Sequence, residues 1–329
     1  VPYADDEVAV FTTAGDGRVV AFARGTGAKL WERRLDLPRE HGALGLPFGH
    51  LVSTGDVVVV PAWDLYALDK KTGAMRWKFS PPDDFPGVRV TLGDDGRLYS
   101  VGHHVYRLDA ATGEVLWRVD LGERPFSPVV REGVVYVGTR GVIPGSSGVL
   151  GAGHAVALEA ETGRLLWKTP IPAPDAPAMG GVTGAGALTP DLYIVASPSG
   201  RVYALNRRTG AVRWEYRGSG PYDVGVVVLG DVAVVASGAG YVEGLDLATG
   251  QERWKVRLGS TFTAPITRLG DLALVSSGRL VAIDARGSIR WGYGGAGWNQ
   301  PIILTGAGVH EGAVYVGGES GFYALKPPS

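Results

Sequence analysis

The sequence contains no cysteine among its 329 residues. This absence excludes disulfide bonds, thiolate metal sites, cysteine nucleophiles and covalent attachment of a c-type haem. It does not decide the cellular compartment. The sequence also begins at Val1 and not at methionine, so we expect that an upstream segment was removed. A signal peptide, a lipoprotein leader and another domain all remain open.

The sequence also lacks a surplus of charge and a long apolar run. Its 32 Lys and Arg residues balance 33 Asp and Glu residues, for a formal net charge of -1, and the two signs alternate along the chain. Nucleic-acid binding needs a basic patch or stripe, so we expect no nucleic-acid partner. No window of about 18 apolar residues is present, which predicts no transmembrane segment.

What the sequence does contain is a repeated strand-turn-strand pattern. The segment 65–77 reads LYALDKKTGAMRW, an apolar run followed by the turn residues Asp69 to Gly73 and by Trp77. A tryptophan at the fourth residue after the turn glycine recurs along the chain, at Trp31, Trp77, Trp117, Trp167, Trp214, Trp254 and Trp291. The first copy has Ala23 in place of the acid, and the copy before Trp291 is one residue shorter. A period of roughly 40 residues with strand composition indicates a propeller or solenoid of β-sheets.

A second element precedes each copy, namely a Gly/Asp turn followed by an apolar strand. Each unit is therefore predicted to have four strands, which we call A to D, and the sequence contains eight units. The last unit stops after Phe322 to Lys326, before its turn and strand D. That strand is either absent or supplied from upstream of Val1, and a ring closed by pairing the termini would need it. We predict an all-β fold in one domain, residues 1–329, an eight-bladed β-propeller of four-stranded antiparallel blades with tryptophan-docking repeats.

The residue types of the pattern explain the turn and the packing. Glycine adopts a positive φ without penalty, while the Asp and Thr side chains cap backbone N–H groups of the turn. The tryptophan on strand D is expected to face the neighbouring blade and to be buried there. Each indole would remove on the order of 150–250 Å² from water.

The Leu-Asp-x-x-Thr-Gly turn with tryptophan four residues after the glycine resembles the tryptophan-docking repeat of PQQ-like (quinoprotein-type) β-propellers. The resemblance covers essentially the whole chain. In length and simplicity the chain is most similar to the BamB-type outer-membrane assembly lipoproteins. That likeness implies a non-catalytic protein-binding scaffold in the periplasm, lipid-anchored through a removed N-terminus, whose partner is a periplasmic domain of a barrel-assembly protein.

Two other functions remain open. Quinoprotein dehydrogenases resemble the repeat and would bring PQQ and calcium as cofactors. They typically carry an adjacent cysteine pair, which this chain lacks, so we expect no cofactor, no metal site and no catalytic residue. The other alternative is a sensor or ectodomain of a longer membrane protein.

Candidate binding residues lie where the repeat pattern breaks. In a propeller the B–C and D–A loops share one face, here called the loop face, and the A–B and C–D turns share the other, the turn face. By alignment with the repeat, irregular sequence collects on the loop face. The predicted binding residues there are His50, Trp63, His103, His104, Arg140, Tyr222, Asp223, Trp298, Asn299 and Gln300. For each of them a structural role, such as covering a loop glycine or pairing Arg140 with Asp223, is the alternative interpretation.

Overall fold

The computed structural model describes residues 1–12, 17–36, 50–81, 89–141, 151–172, 180–259, 262, 264–294, 305–318 and 321–327. Within these ranges every regular element is a β-strand, and the strands form eight antiparallel sheets. No helix in the described ranges has the length and apolar character needed to cross a membrane.

Seven sheets contain four strands in chain order and the last contains three. In blades 1 to 4 the strands are β1 (Tyr3–Ala4), β2 (Val8–Thr12), β3 (Arg18–Ala23), β4 (Lys29–Arg34); β5 (Val52–Thr54), β6 (Val57–Pro61), β7 (Leu65–Asp69), β8 (Met75–Phe79); β9 (Arg89–Leu92), β10 (Leu98–Val101), β11 (Val105–Leu108), β12 (Val115–Val119); β13 (Arg124–Arg131), β14 (Val134–Arg140), β15 (Gly153–Glu159) and β16 (Leu165–Ile171). In blades 5 to 8 they are β17 (Ala187–Leu188), β18 (Leu192–Ser197), β19 (Arg201–Asn206), β20 (Val212–Arg217); β21 (Val226–Leu229), β22 (Val232–Ser237), β23 (Tyr241–Asp246), β24 (Glu252–Arg257); β25 (Thr267–Leu269), β26 (Leu272–Ser276), β27 (Leu280–Asp284), β28 (Ile289–Tyr293); β29 (Gly308–His310), β30 (Ala313–Gly318) and β31 (Gly321–Leu325).

The blades close into a ring, which confirms the predicted eight-bladed propeller. The first strands of neighbouring blades contact one another, so strand A of each blade lines the central channel. The core is divided into eight hydrophobic clusters, each between two neighbouring blades, and the last of them joins blade 8 to blade 1. Strands B and C are almost wholly buried, whereas strand D alternates between exposed and buried positions.

The C–D turn forms as its residue types predict. In blade 2, Oδ1 of Asp69 accepts hydrogen bonds from the backbone N–H of Lys71 at 3.0 Å, the N–H of Thr72 at 2.9 Å and its hydroxyl at 2.9 Å. Gly73 follows at φ 70°, a conformation that costs a residue with a Cβ about 1–2 kcal/mol. The same cap recurs on Asp109, Asn206 and Asp246.

A bulge after the turn directs the tryptophan towards the next blade. Ala67 pairs with Trp77 and Leu68 with Met75, so Arg76 is the extra residue. Six of the tryptophans then donate Nε1–H to a backbone carbonyl in the C–D turn of the following blade, at 2.7–3.2 Å: Trp31, Trp77, Trp117, Trp167, Trp214 and Trp254. These rings also lie on the turn glycine, since a Cβ on Gly73 would come within 2.7 Å of the ring of Trp31. Docking of the indoles between blades is thereby confirmed.

Blade 8 is the exception. Three of its strands are described, and Nε1 of Trp291 in blade 7 is buried without an acceptor in the described part of the chain. The contact between blades 8 and 1 uses other side chains. The rings of Phe11 and Phe322 lie 4.5 Å apart, and Arg24 donates to Glu311 at 2.6 Å. Within the described residues, these side chains join blade 8 to blade 1, and whether an upstream segment supplies strand D of blade 8 stays a prediction.

Candidate functional site

The described candidate residues lie in the connections of the loop face. Trp63 and the pair His103-His104 occupy B–C loops, Arg140 ends a strand B, and His50 and Tyr222-Asp223 precede strands A. Trp298, Asn299 and Gln300 lie outside the described residues, so their predicted role stays a prediction.

The histidine pair and Trp63 form the outer part of this face. His103 is exposed, while Nδ1 of His104 lies 3.5 Å from the hydroxyl of Tyr106 and their rings contact edge to face. Trp63 is half-buried. These side chains offer hydrogen-bonding groups and an aromatic surface, which are the group types found at protein interfaces.

Tyr222 has a different environment from its neighbour Asp223. Its side chain is buried, and its hydroxyl donates to Glu243, a fully buried carboxylate on strand C of the same blade. Glu243 also accepts a hydrogen bond from Ser219 and pairs with Lys255 at 3.3 Å. Burial and the charge of Glu243 raise the pKa of Tyr222 well above its usual value. In this position Tyr222 anchors the D–A connection of blade 6 from inside.

The inner part of the loop face is a polar sector at the mouth of the channel. It is formed by residues at or just before strand A in five consecutive blades: His50, Arg89, Ser127, Thr183 and Asp223. We call this set the channel mouth. Nη1 of Arg89 donates to the carbonyl of Thr183 at 2.9 Å and to Oγ of Ser127 at 3.1 Å. The hydroxyl of Ser127 donates to the same carbonyl at 3.1 Å, and the hydroxyl of Thr183 donates to Asp223 at 2.9 Å.

Two arginines of this sector, Arg89 and Arg140, have lowered pKa values. Burial and the neighbouring guanidinium of Arg124 lower the pKa of Arg89, against the opposing effect of Asp223. Burial likewise lowers the pKa of Arg140, again opposed by Asp223. The charge of Asp223 thus acts on both arginines, and its carboxylate accepts a hydrogen bond from Thr183.

His50 belongs to the same network electrostatically. Its pKa lies below its usual value because the surrounding protein disfavours the charged ring, and Arg89 adds positive charge nearby. The side chain nevertheless has an exposed surface. A group that is enclosed by protein and yet open to solvent fits a position on a channel wall.

Sequence reasoning missed Arg89, Ser127, Thr183 and Glu243. The sequence did contain an indication of Glu243, since the equivalent strand C position is a tyrosine in blades 2, 3 and 5: Tyr66, Tyr106 and Tyr203. The repeat pattern gave no indication of Ser127. In the structure its φ is 37°, which is unusual for a residue with a side chain. Arg89 and Thr183 come from separate blades and meet only when the ring closes.

The described residues do not supply a calcium site at the channel mouth, which holds one carboxylate, Asp223. Calcium takes six to eight oxygen ligands. In the described part of the chain, the grouping of acids and histidine close enough to hold an ion is Asp6, His310 and Glu311 on the turn face. The guanidinium of Arg24 contacts Asp6 at 3.3 Å and Glu311 at 2.6 Å. The positive charge that balances these acids therefore comes from an arginine of the protein. Among the described residues, the channel mouth therefore lacks the number of oxygen ligands that calcium prefers.

Comparison with known families identifies one that spans nearly the whole ring. The family described as outer membrane protein assembly factor BamB matches residues 15–92, 61–222 and 217–327.

The individual relatives include a kinase, an alcohol dehydrogenase and a BamB protein. The chain is 32% identical over 167 residues to the serine/threonine-protein kinase AfsK of Streptomyces coelicolor, covering 49% of the chain and 18% of the kinase. It is 31% identical over 166 residues to the quinohemoprotein alcohol dehydrogenase ADH-IIG of Pseudomonas putida, covering 42% of the chain and 20% of the enzyme. It is 25% identical over 220 residues to BamB of Burkholderia pseudomallei, covering 63% of the chain and 52% of that protein. The chain thus spans less than two thirds of the length of each of these relatives.

A solved structure confirms the fold. BamB from Moraxella catarrhalis superimposes with a TM-score of 0.73 at 17% identity, covering 98% of this chain and 95% of that one.

Proposed function

The chain belongs to the family of the outer membrane protein assembly factor BamB, and from that premise we propose that it is a non-catalytic protein-binding scaffold in the assembly of outer-membrane β-barrel proteins. The family match, which extends across almost every blade, is the observation that carries this proposal. The partner would be a periplasmic domain of a barrel-assembly protein. The location would be the periplasmic side of the outer membrane, with a lipid anchor through an N-terminal segment.

The distribution of residues supports the loop face as the binding surface. Exposed or half-exposed Trp63, His103 and His104 lie there on connections of different length, whereas the turn face repeats one cap from blade to blade. Binding residues are found more often on varied loops held by a rigid scaffold. Tryptophan is also enriched among residues that contribute most to interfaces.

The test is direct binding of the folded propeller to the periplasmic domain of the barrel-assembly protein from the same organism, measured by biolayer interferometry. We expect a specific complex that is weakened about tenfold or more by Trp63→Ala, since interface hot spots contribute at least about 2 kcal/mol.

Leu165→Ala is the matched control, because Leu165 is a large apolar residue that is 50% exposed on a strand D, away from the loop face. This variant should bind as the wild type does. Circular dichroism must show that all three proteins are folded. Absence of a complex with the folded wild type, or equal weakening by the two variants, would refute the proposal.

Two alternative functions have support from individual relatives. The likeness to ADH-IIG favours a quinoprotein oxidoreductase, although the absence of cysteine and the donor set at the channel mouth argue against it. Adding PQQ and Ca²⁺ and measuring dye reduction with alcohols tests it, and neither binding nor turnover is expected.

The likeness to AfsK favours a sensor domain of a longer membrane protein. The residues encoded before Val1 distinguish the cases. A lipoprotein leader that ends in a modified cysteine supports the assembly scaffold, whereas a transmembrane span and a kinase domain support the sensor.

A further inference from the structure

A buried carboxylate holds the connection that leads into blade 6, residues 218–225. Among the acids that the structure describes, Glu243 on strand C is the least exposed, at 0%. It accepts hydrogen bonds from the hydroxyl groups of Tyr222 and Ser219 in this connection, and Nζ of Lys255 lies 3.3 Å from it. A charge inside a protein is costly unless it is paired and hydrogen-bonded. These partners explain how the core accommodates Glu243.

Blades 2 and 5 hold the corresponding connection by a hydrogen bond in the opposite direction. There the strand C residue is a tyrosine whose hydroxyl donates to a backbone carbonyl, Tyr66 to Asp36 at 2.7 Å and Tyr203 to Pro172 at 3.2 Å. In blade 6 the strand supplies the acceptor, and the connection supplies two donors from its side chains. Hydrogen bonds to a carboxylate are roughly twice as strong as those between neutral groups. The connection into blade 6 is therefore held more firmly, and through its side chains.

The connection that Glu243 holds carries Asp223 to the surface. Asp223 is exposed, and its carboxylate accepts a hydrogen bond from the hydroxyl of Thr183 at 2.9 Å. The residue before it, Tyr222, is 1% exposed, and its backbone N–H donates to the carbonyl of Ser197 at 3.2 Å. The position of Asp223 thus depends on Tyr222, whose hydroxyl donates to Glu243.

We propose that Glu243 is a positioning residue of the loop face, which fixes Asp223 as a contact for a basic side chain of the partner. This inference rests on the proposed function, in which the loop face is the binding surface. Glu243 is buried and acts through Tyr222, because a contact that is already in place loses less conformational entropy on binding. The exposed carboxylate of Asp223 can then accept charge-assisted hydrogen bonds from an ammonium or guanidinium group.

Hydrogen exchange of the free protein, followed by mass spectrometry, tests the positioning step without a partner. Glu243→Gln removes the charge and keeps the shape, so we expect residues 218–225 to exchange at least about fivefold faster while β22 and β23 keep their rates. Tyr222→Phe should have the same effect, since it removes the donor of the same hydrogen bond. Tyr203→Phe is the matched control, because it releases the connection into blade 5 and not the one into blade 6.

Biolayer interferometry with the periplasmic domain of the barrel-assembly protein tests the contact itself. Asp223→Asn and Glu243→Gln should each weaken the complex at least about threefold. If Glu243 acts through Asp223, adding Glu243→Gln to Asp223→Asn should change the affinity by less than about twofold. Circular dichroism must show that every variant is folded.

The two measurements separate this inference from the proposed function. Unchanged exchange of residues 218–225 in Glu243→Gln overturns the positioning role, and losses that multiply in the double variant overturn the action through Asp223. A folded wild type that forms no complex refutes the proposed function and with it the contact at Asp223. In that case the exchange rates still decide whether Glu243 holds the connection.

Discussion

The turn face and the loop face of the ring are made from the same blades and yet follow different rules. On the turn face one cap recurs, with a carboxylate or amide over two N–H groups, a glycine at positive φ and an indole from the preceding blade lying on it. On the loop face the connections differ from blade to blade, and their polar groups interact across blades, as Arg89, Thr183 and Asp223 do.

Under the proposed function, the turn face stabilises the ring and the loop face binds the partner. The indoles join neighbouring blades in the half of each contact near the turns, so the other end of each blade is free to vary in sequence. We therefore expect substitutions on the turn face to change stability, and substitutions of exposed loop-face residues to change binding.

The largest effect should come from removing a docked indole. Trp167 is buried between blades 4 and 5 and donates to the carbonyl of Arg207 at 3.1 Å. Trp167→Ala is expected to lower the free energy of unfolding by about 3–5 kcal/mol, as for other large-to-small core changes. Urea denaturation followed by far-UV circular dichroism measures it. Leu165→Ala on the same strand, where the side chain is exposed, should change it by less than about 0.5 kcal/mol. Similar losses for the two would show that the docked indole stabilises the contact between blades no more than an exposed side chain does.

Lowering the pH is expected to have a smaller effect on stability, through Asp5 in an A–B turn of the turn face. Burial acts to raise the pKa of Asp5, but hydrogen bonds from Lys70 of blade 2 and from the N–H groups of Val8 and Glu7 outweigh it and hold the pKa at about 2, below its usual 3.8. The folded-state value is depressed, so this stabilisation is complete above the unfolded pKa and is lost as pH falls from about 4 to about 2. At roughly 1.4 kcal/mol per unit, the loss is about 2 kcal/mol.

Asp5→Asn isolates that contribution from those of the other acids. The difference in unfolding free energy between wild type and variant, measured by urea titration, should shrink by about 2 kcal/mol between pH 6 and pH 2. A difference that stays constant with pH would show that the Asp5–Lys70 pair, 2.8 Å apart, does not stabilise the contact between blades 1 and 2.

Blade 8, of which three strands are described, offers a comparison within the turn face. Nε1 of Trp254 donates to the carbonyl of Ala285 at 2.8 Å, whereas Nε1 of Trp291 is buried without an acceptor among the described residues. Replacing Trp254 or Trp291 by phenylalanine removes the Nε1–H group and the same number of ring atoms at each position. Because a net hydrogen bond contributes about 1 kcal/mol, Trp254→Phe should destabilise by about 1 kcal/mol more than Trp291→Phe. Equal losses in chemical denaturation would mean that the indole hydrogen bond adds nothing at these contacts.

Much of the turn face was predictable from the sequence because its causes are local. A glycine, a capping acid and a tryptophan at fixed spacing determine the turn and the bulge within one unit, and the count of units gives the eight blades. The same pattern showed that the eighth unit stops before its turn, and Nε1 of Trp291 in blade 7 is buried without an acceptor among the described residues. The channel mouth was not predictable in this way, since Arg89, Thr183 and Asp223 lie in three different blades and become neighbours only through ring closure.

The smallest effect on stability should come from the loop face itself. His103 is exposed in the B–C loop of blade 3, so His103→Ala should change the free energy of unfolding by no more than about 0.5 kcal/mol. The neighbouring His104, which contacts Tyr106, is the internal control, and His104→Ala should cost more than His103→Ala in the same denaturation experiment. If His103→Ala destabilised the protein as much as Trp167→Ala does, the loop face would take part in holding the ring together. Stability would then not be confined to the contacts near the turn face.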